Sequence, residues 1–167
     1  MLLIHPPNKI LGRTIETDFK KWLRFGAMWS SPLTLHEKCA LTFLNILGEI
    51  PENQEKWLDE ILLFYQCGEK ENPGLPIPKE RILDWKIDSP TIWADFKIYA
   101  GIDLDKENMH WWEFMALFKS LPENAAIRDK MSIRGLDLSK IKNSQTREEY
   151  RIRKIAVALD RQDYDDF

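Results

Sequence analysis

Apolar residues recur at helical spacing along most of the chain, and each such run predicts an amphipathic helix. The first run places these residues on one face: Ile15, Phe19, Trp22, Leu23, Gly26 and Trp29. The same spacing predicts helices at about 14–29, 35–47, 52–67, 90–100, 106–121 and 124–133. A final amphipathic helix carries Ile152, Ile155, Ala156 and Leu159. We therefore predict an all-α fold, a small bundle of about six to seven helices in two lobes packed together.

Capping residues define the ends of several predicted helices. Thr34 followed by Glu37 is a capping-box pattern, and Thr146 followed by Glu149 repeats it. In the second helix, Leu35 is expected to face inward with Cys39 and Phe43. Glycines that tolerate a left-handed conformation follow three of the helices: Gly48, Gly68 and Gly101.

The composition supports this fold class and predicts where the chain divides. Hydrophobic residues make up 44% of the 167 residues, which is enough for a core without disulfide bonds, and Val157 is the one valine, which argues against a parallel sheet. Residues 68–80 are rich in glycine and proline, as a linker would be. We predict a flexible arm, an N-terminal helical lobe, a linker, a C-terminal helical lobe and an acidic tail, at residues 1–13, 14–67, 68–83, 84–160 and 161–167.

Charge argues against nucleic acid as a partner, because non-specific binding to phosphates needs a positive field and the net charge is −3. One local segment is basic: Arg128–Lys154 contains nine Lys or Arg residues and four acids, a net of +5. Four aspartates follow between Asp160 and Asp166. The pattern is typical of solvated helix faces before an acidic end. The alternative is a basic face for an acidic partner or for the chain's own tail.

Residues suited to metal binding or catalysis form no complete motif. His36 and Cys39 share a helical face and Cys67 could join them at zinc, but a fourth ligand is missing, so we favour packing of both cysteines as small apolar residues. No metal site, cofactor site or catalytic residue is therefore predicted. No signal peptide and no apolar run of roughly 18 residues is present, so we expect a soluble intracellular protein without membrane contact.

His110-Trp111-Trp112 is the most unusual tripeptide in the chain. Adjacent helical residues point about 100° apart, so the two indoles cannot share one environment. Two tryptophans can fill two sides of a core, or one of them can anchor a protein interface. We place Trp112 in the core, with Phe96 and Leu117 on other apolar faces, and leave Trp111 exposed.

The region that contains this tripeptide resembles a known phage family. An aromatic-Gly-Ile-Asp-Leu turn corresponds to Tyr99–Leu104, a Leu-His-Trp-Trp-x-Phe pattern to Met109–Phe114, and an Ile-Arg pair to Ile133-Arg134. The match to the bacteriophage gene-product-fifteen family of tail-region proteins is specific over about 84–136. Here one extra residue separates Tyr99 from Gly101, and Met109 replaces the more usual leucine.

The resemblance implies a tail assembly chaperone that keeps the tape-measure protein soluble while the tail tube assembles. It implies no catalysis and no cofactor. On that basis we expect several self-associating copies in the host cell cytoplasm, absent from the mature virion. The apolar anchor would be Trp111, with His110 and Arg134 as polar contacts at its rim. The alternative is a structural tail component that stays in the virion, followed by an enzyme and a nucleic-acid binder.

Overall fold

The computed structural model describes residues 5–69 and 81–159. Two compact units are present among the described residues: one joins residues 5–69 to 104–120, and the other joins 81–103 to 121–159. This division differs from the predicted lobes, because the helix expected at 106–121 packs with the N-terminal helices and not with the C-terminal ones. Most of the predicted linker and all of the acidic tail lie outside the described residues.

Helices dominate the described residues, as the apolar spacing predicted. The α-helices are α1 Phe19–Trp29, α2 Leu35–Leu47, α3 Gln54–Tyr65, α4 Ser89–Asp95, α5 Trp111–Ser120, α6 Ala126–Gly135 and α7 Ser144–Ala156. A π-helical turn at Phe96–Ala100 continues α4, and a 3₁₀ turn lies at Leu138–Lys140. Among the described residues the all-α prediction is confirmed, apart from one small hairpin. Within 5–69 and 81–159, no helix is both long enough and apolar enough to cross a bilayer.

The hairpin corrects the prediction of a flexible arm at 1–13. Strands β1 Lys9–Ile10 and β2 Arg13–Thr14 pair antiparallel, and Ile10 is buried. The two-residue turn between them has positive φ at both positions, 47° at Leu11 and 80° at Gly12. Such a turn matches the twist of the strands it joins. Apolar periodicity does not reveal this hairpin, because two strands of two residues carry too short a pattern.

The first unit contains β1, β2, α1, α2, α3 and α5, and its core is largely aromatic. Phe19 of α1 stacks on Phe114 of α5 with ring centroids 4.9 Å apart, and Trp22 meets Phe64 of α3 at 4.6 Å. The predicted inward face of α1 is therefore buried. Leu35, expected to point inward from α2, is 67% exposed. It is the first helical residue, and side chains lean toward the helix N-terminus, so it projects past the end of the core.

The first predicted capping box is present and the second is not. The backbone N–H of Thr34 donates to Glu37 Oε2 at 2.8 Å, and Thr34 Oγ1 accepts from the N–H of Glu37. In α7, by contrast, the side chain of Asn143 accepts from the N–H of Thr146 at 2.9 Å. Asparagine is among the preferred N-cap residues, and so the helix begins earlier than the Thr146–Glu149 pattern indicated.

The second unit contains α4, α6 and α7. Buried Asp95, the last residue of α4, accepts hydrogen bonds from the N–H groups of Ala126 and Ile127 at 3.2 and 2.8 Å. Its carboxylate thus satisfies two free amides at the start of α6. The following π-helical turn ends at Gly101, where φ is +70°. The one extra residue of this sequence relative to the family pattern falls within that wider turn.

Helix α7 is amphipathic as predicted, but its apolar face is exposed. Ile152 is 58% exposed and Ile155 is 44% exposed. The opposite face packs instead: Lys154 is buried along its stem, and its Nζ donates to the Leu136 carbonyl at 3.0 Å. A lysine stem can cover apolar surface while its ammonium keeps a polar partner. The spacing of apolar residues alone therefore indicated the wrong packing face.

Candidate partner-binding groove

The structure reverses the predicted environments of the two adjacent tryptophans, and Trp111 is the buried one. Its exposed fraction is 0%, and its indole stacks on Tyr65 with centroids 5.1 Å apart. Its Nε1 donates to the Tyr65 carbonyl at 2.7 Å, and its backbone N–H donates to the Thr17 carbonyl at 2.7 Å. The expectation that Trp111 is an exposed anchor is wrong, because α5 turns this side chain into the aromatic core of the first unit.

Trp112, expected in the core, is only half-buried. Its Nε1 donates to the Phe64 carbonyl at 2.9 Å, which fixes the indole across the end of α3. The far edge of the ring lies against Gly68, where an added Cβ would come within 3.2 Å of it. Gly68 also has a φ of +75°, so glycine is required there both by conformation and by the close approach of the ring. The indole is thus rigidly held, and part of it remains exposed to solvent.

His110 fixes the start of α5 beside this indole. Its Nδ1 accepts from the backbone N–H of Trp112 at 3.0 Å, so the ring proton sits on Nε2, which donates to the Pro7 carbonyl at 3.1 Å. The imidazole therefore acts as a helix N-cap and ties residue 7 to the helix. Both ring nitrogens are used, so the predicted role of His110 as a polar rim contact is replaced by a positioning role.

A shallow groove of about 160 Å³ opens beside Trp112 in the first unit. It is called the Trp112 groove below. Its lining is mostly apolar, with one cation and one acid at the rim: Pro7, Lys9, Ile10, Leu11, Glu60, Leu63, Phe64, Gly68 and Trp112. Small-molecule pockets are usually about 300–1,000 Å³. The groove is therefore of a size to receive one apolar side chain from a protein partner.

Leu11 at the edge of this groove has an unfavourable local structure. Its φ is 47°, a left-handed conformation that costs a non-glycine residue about 1–2 kcal/mol. The turn type favours Asn-Gly at these two positions, yet the chain has Leu11-Gly12. The side chain is also 40% exposed, so burial returns only part of that cost. Leu11 is thus a strained and exposed residue beside an apolar groove, and its own burial does not explain a leucine at this position.

Arg134, the third predicted contact residue, is buried in the second unit and is only 4% exposed. Its guanidinium makes two hydrogen bonds to Asp88, at 2.7 and 2.9 Å, and a third from Nε to the Val157 carbonyl at 2.6 Å. Burial works to raise the pKa of Asp88, but hydrogen bonds from Arg134 and from the Asp84 N–H, with the nearby charges, hold it below its ordinary value. Arg134 therefore stabilises the fold and is not available at a rim.

The cysteine and histidine residues considered for zinc are not gathered into a site. Within the described ranges, no group of three or more possible ligands lies close enough to hold a metal ion. Both cysteines are free thiols and half-buried. Burial raises the pKa of the Cys67 thiol to about 11, so it is protonated at neutral pH and is a weak nucleophile and ligand.

Sequence reasoning missed Leu11, Leu63 and the Trp112 face as a set because the residues come from three separate segments. One signal was present: a Leu-Gly pair occupies a two-residue turn where Asn-Gly is favoured. Recognising it would have required the hairpin to be predicted first.

A protein-family model matches most of the chain. The family model described as Bacteriophage Gp15 protein matches residues 11–159, which include the hairpin turn, the Trp112 groove from Leu11 onward and both units. No curated protein and no solved structure matches the chain. Because the family model spans residues 11–159 of the 167, the chain belongs to the bacteriophage Gp15 protein family.

Proposed function

We propose that this phage protein is a tail assembly chaperone, which binds apolar stripes of the tape-measure protein and keeps it soluble while the tail tube assembles. The observation that carries the proposal is the Trp112 groove, where a rigidly held indole and a strained leucine remain open to a partner. An amphipathic helix presents single apolar side chains at regular intervals, and one such side chain fits a groove of this size.

The energetics of the groove suit a reversible client. Burial of apolar surface stabilises a contact by roughly 25 cal/mol per Å², less the free energy of ordering both partners. One shallow groove gives weak affinity, so several copies along a long client helix supply the overall avidity. Weak individual contacts also allow the copies to leave when tail-tube subunits polymerise.

The role needs no catalysis, cofactor, membrane or nucleic acid, and it places the protein in the host cell cytoplasm. The mostly apolar lining of the Trp112 groove supports apolar recognition, and the protonated Cys67 thiol does not favour nucleophilic chemistry. The net charge of −3 is unsuited to non-specific binding of phosphates.

Co-expression tests the function. The tape-measure protein, or long fragments of it, should be insoluble when expressed alone and should move to the soluble fraction with this protein present. The two should then copurify through an affinity tag on either chain. Tape-measure fragments that stay insoluble across several designs, with this protein soluble and abundant, would contradict the chaperone role.

The alternative is a structural tail component that remains in the virion. Mass spectrometry of purified particles distinguishes the two roles, because a chaperone should be absent and a structural component should be present in a fixed ratio to the tail-tube protein. A stoichiometric signal in particles that have been washed at high salt would favour the structural role.

A further inference from the structure

The basic segment Arg128–Lys154 was one candidate surface for an acidic partner, but many of its cations are already engaged within the second unit. Arg134 pairs with Asp88. Four more cations of the segment bind acids or backbone carbonyls: Arg151 to Glu148 at 2.7 Å, Arg153 to Asp129 at 3.3 Å, Arg147 to the Ile141 carbonyl at 2.7 Å and Lys154 to the Leu136 carbonyl at 3.0 Å. This segment is therefore a poor receptor for further carboxylates.

A cleft of about 520 Å³ beside α1 and α2 in the first unit has a different character. It is called the basic cleft below. Three cations line it: Lys20, Lys21 and Arg24. Its apolar wall is formed by Phe25, Met28 and Ile46, and its polar lining by Glu16, Asp18, Asn45 and Asn108. The volume lies in the range of about 300–1,000 Å³ that is typical of pockets for small ligands and short peptide segments.

Two of the three cations have no partner among residues 5–69 and 81–159. Lys20 Nζ donates to the carbonyls of Asp105 and Glu107, at 3.2 and 2.9 Å, whereas the side chains of Lys21 and Arg24 make no hydrogen bond or ion pair to those residues. The carboxylate of Asp18 already accepts from the Lys20 N–H at 2.9 Å as the cap of α1. The cleft thus presents two unpaired cations next to an apolar wall, and its three cations outnumber its two carboxylates, Glu16 and Asp18, by one.

We infer that the basic cleft binds the acidic segment 160–167 of a second copy of this chain. That segment has four aspartates and one arginine, a net of −3, and it also contains Tyr164 and Phe167. Its carboxylates match Lys21 and Arg24, and its aromatic rings match the apolar wall formed by Phe25 and its neighbours. Four acids and two aromatic side chains thus stand within eight residues.

The choice of a second copy rests on the proposed function, in which several copies line up along one client. A contact between a tail and a cleft joins two different surfaces, so each copy can bind one neighbour and be bound by another. Such a contact can repeat in one direction. It would space the grooves of successive copies along a long helix.

The test is self-association of the full-length protein, measured by sedimentation velocity over a wide range of concentrations without any tape-measure protein. Wild type should form larger species as concentration rises at low salt, and these should weaken at high salt, where screening shortens to a few Å. The cleft variant Lys21→Glu/Arg24→Glu and the tail variant Asp163→Lys/Asp166→Lys should each weaken association by about tenfold or more. This is the loss expected for removing paired charges at an interface.

Restoring complementarity should restore assembly. A chain carrying all four reversals, or an equimolar mixture of the cleft variant and the tail variant, should self-associate as wild type does. The matched control is Lys142→Glu, an exposed lysine of the rival basic segment, which should associate normally. A labelled peptide of residues 160–167 should bind the full-length tail variant, and the cleft reversal should abolish that binding.

The inference would be overturned by a wild type that stays monomeric at all concentrations, or by a cleft variant that associates as strongly as wild type. It would also be overturned if self-association weakened as much in the Lys142→Glu control as in the cleft variant. Peptide binding to a strictly monomeric wild type would also exclude the second copy. These outcomes are separate from the proposed function, because a monomeric protein that still solubilises the tape-measure protein would refute this inference alone.

Discussion

Removing the guanidinium of Arg134 should destabilise the protein severely. The Asp88 carboxylate is fully buried and takes two of its hydrogen bonds from Arg134. In Arg134→Ala the Asp88 carboxylate would still accept a hydrogen bond from the Asp84 N–H at 3.0 Å. The ammonium of Lys130 would remain 4.0 Å away. Breaking a buried pair by removing one partner typically costs about 3–5 kcal/mol, because the remaining charge is uncompensated. We expect a loss in that range in the free energy of unfolding from urea denaturation, followed by circular dichroism.

The pH dependence gives an independent check on the same pair. The pKa of Asp88 in the folded protein lies below 3.8, the reference value for the unfolded chain. The pair therefore stabilises the folded wild type fully above that reference pH. This stabilisation is lost as the pH falls through the pKa of Asp88 in the folded protein. In Arg134→Ala, burial of Asp88 would act without its main partner and raise that pKa. Acidification toward pH about 4 should therefore narrow the stability gap between wild type and variant.

A matched control distinguishes burial from charge. Arg153→Ala removes an exposed partner of Asp129, 3.3 Å away, and should change the free energy of unfolding by only about 0–1 kcal/mol. Replacing the whole buried pair, with Asp88→Leu and Arg134→Met together, should cost less than Arg134→Ala alone. A loss below about 1 kcal/mol in Arg134→Ala would refute the reasoning.

Three further predictions concern the start of α5 and the turn after α3. Trp111→Ala should lower the free energy of unfolding by about 3–5 kcal/mol in a denaturant titration, because it empties a fully buried site; a thermally unchanged variant would contradict the burial. His110→Ala should lower the free energy of unfolding by about 1 kcal/mol, because α5 loses its N-cap. His110→Asn should keep most of that stabilisation, since asparagine can also cap a helix. Cys67 should react slowly with iodoacetamide at neutral pH and faster after unfolding, since its pKa is raised to about 11; mass spectrometry of the alkylated chain measures both rates, and equal rates would argue against burial.

The apolar pattern predicted the helices well because 3.6-residue periodicity is a local property. The second helix matches its predicted bounds, 35–47, and Gly48 ends it with a φ of +76° as expected. The pattern could not assign partners to the helices. Helix α5 joins the first unit although the nearest helices in sequence join the second, and such long-range pairing depends on tertiary contacts.

The candidate site was harder to predict than the helices. The errors in predicting which side chains are buried have a common cause. Two adjacent tryptophans on one helix point about 100° apart, so one rotation of α5 decides which of them is buried. Their spacing is compatible with either rotation, and the stacking of Trp111 on Tyr65 selects one. Likewise, α7 buries Lys154 in place of Ile152 because Leu136 offers a carbonyl to the ammonium.

The most direct test of the account is the affinity of purified wild type for a soluble amphipathic tape-measure fragment, compared with that of Leu11→Asn. This substitution removes the apolar side chain at the edge of the Trp112 groove while relieving the strain of a left-handed leucine, so the fold should stay within about 1 kcal/mol of wild type. The control is Ile50→Asn, another exposed apolar loop residue of the first unit that does not line the groove.

Isothermal titration calorimetry should show binding weakened by roughly 1–3 kcal/mol in Leu11→Asn, and unchanged in Ile50→Asn, because contacts inside a groove contribute more than scattered surface contacts. Equal affinity of all three proteins for the fragment would contradict the claim that the Trp112 groove is where the tape-measure protein binds.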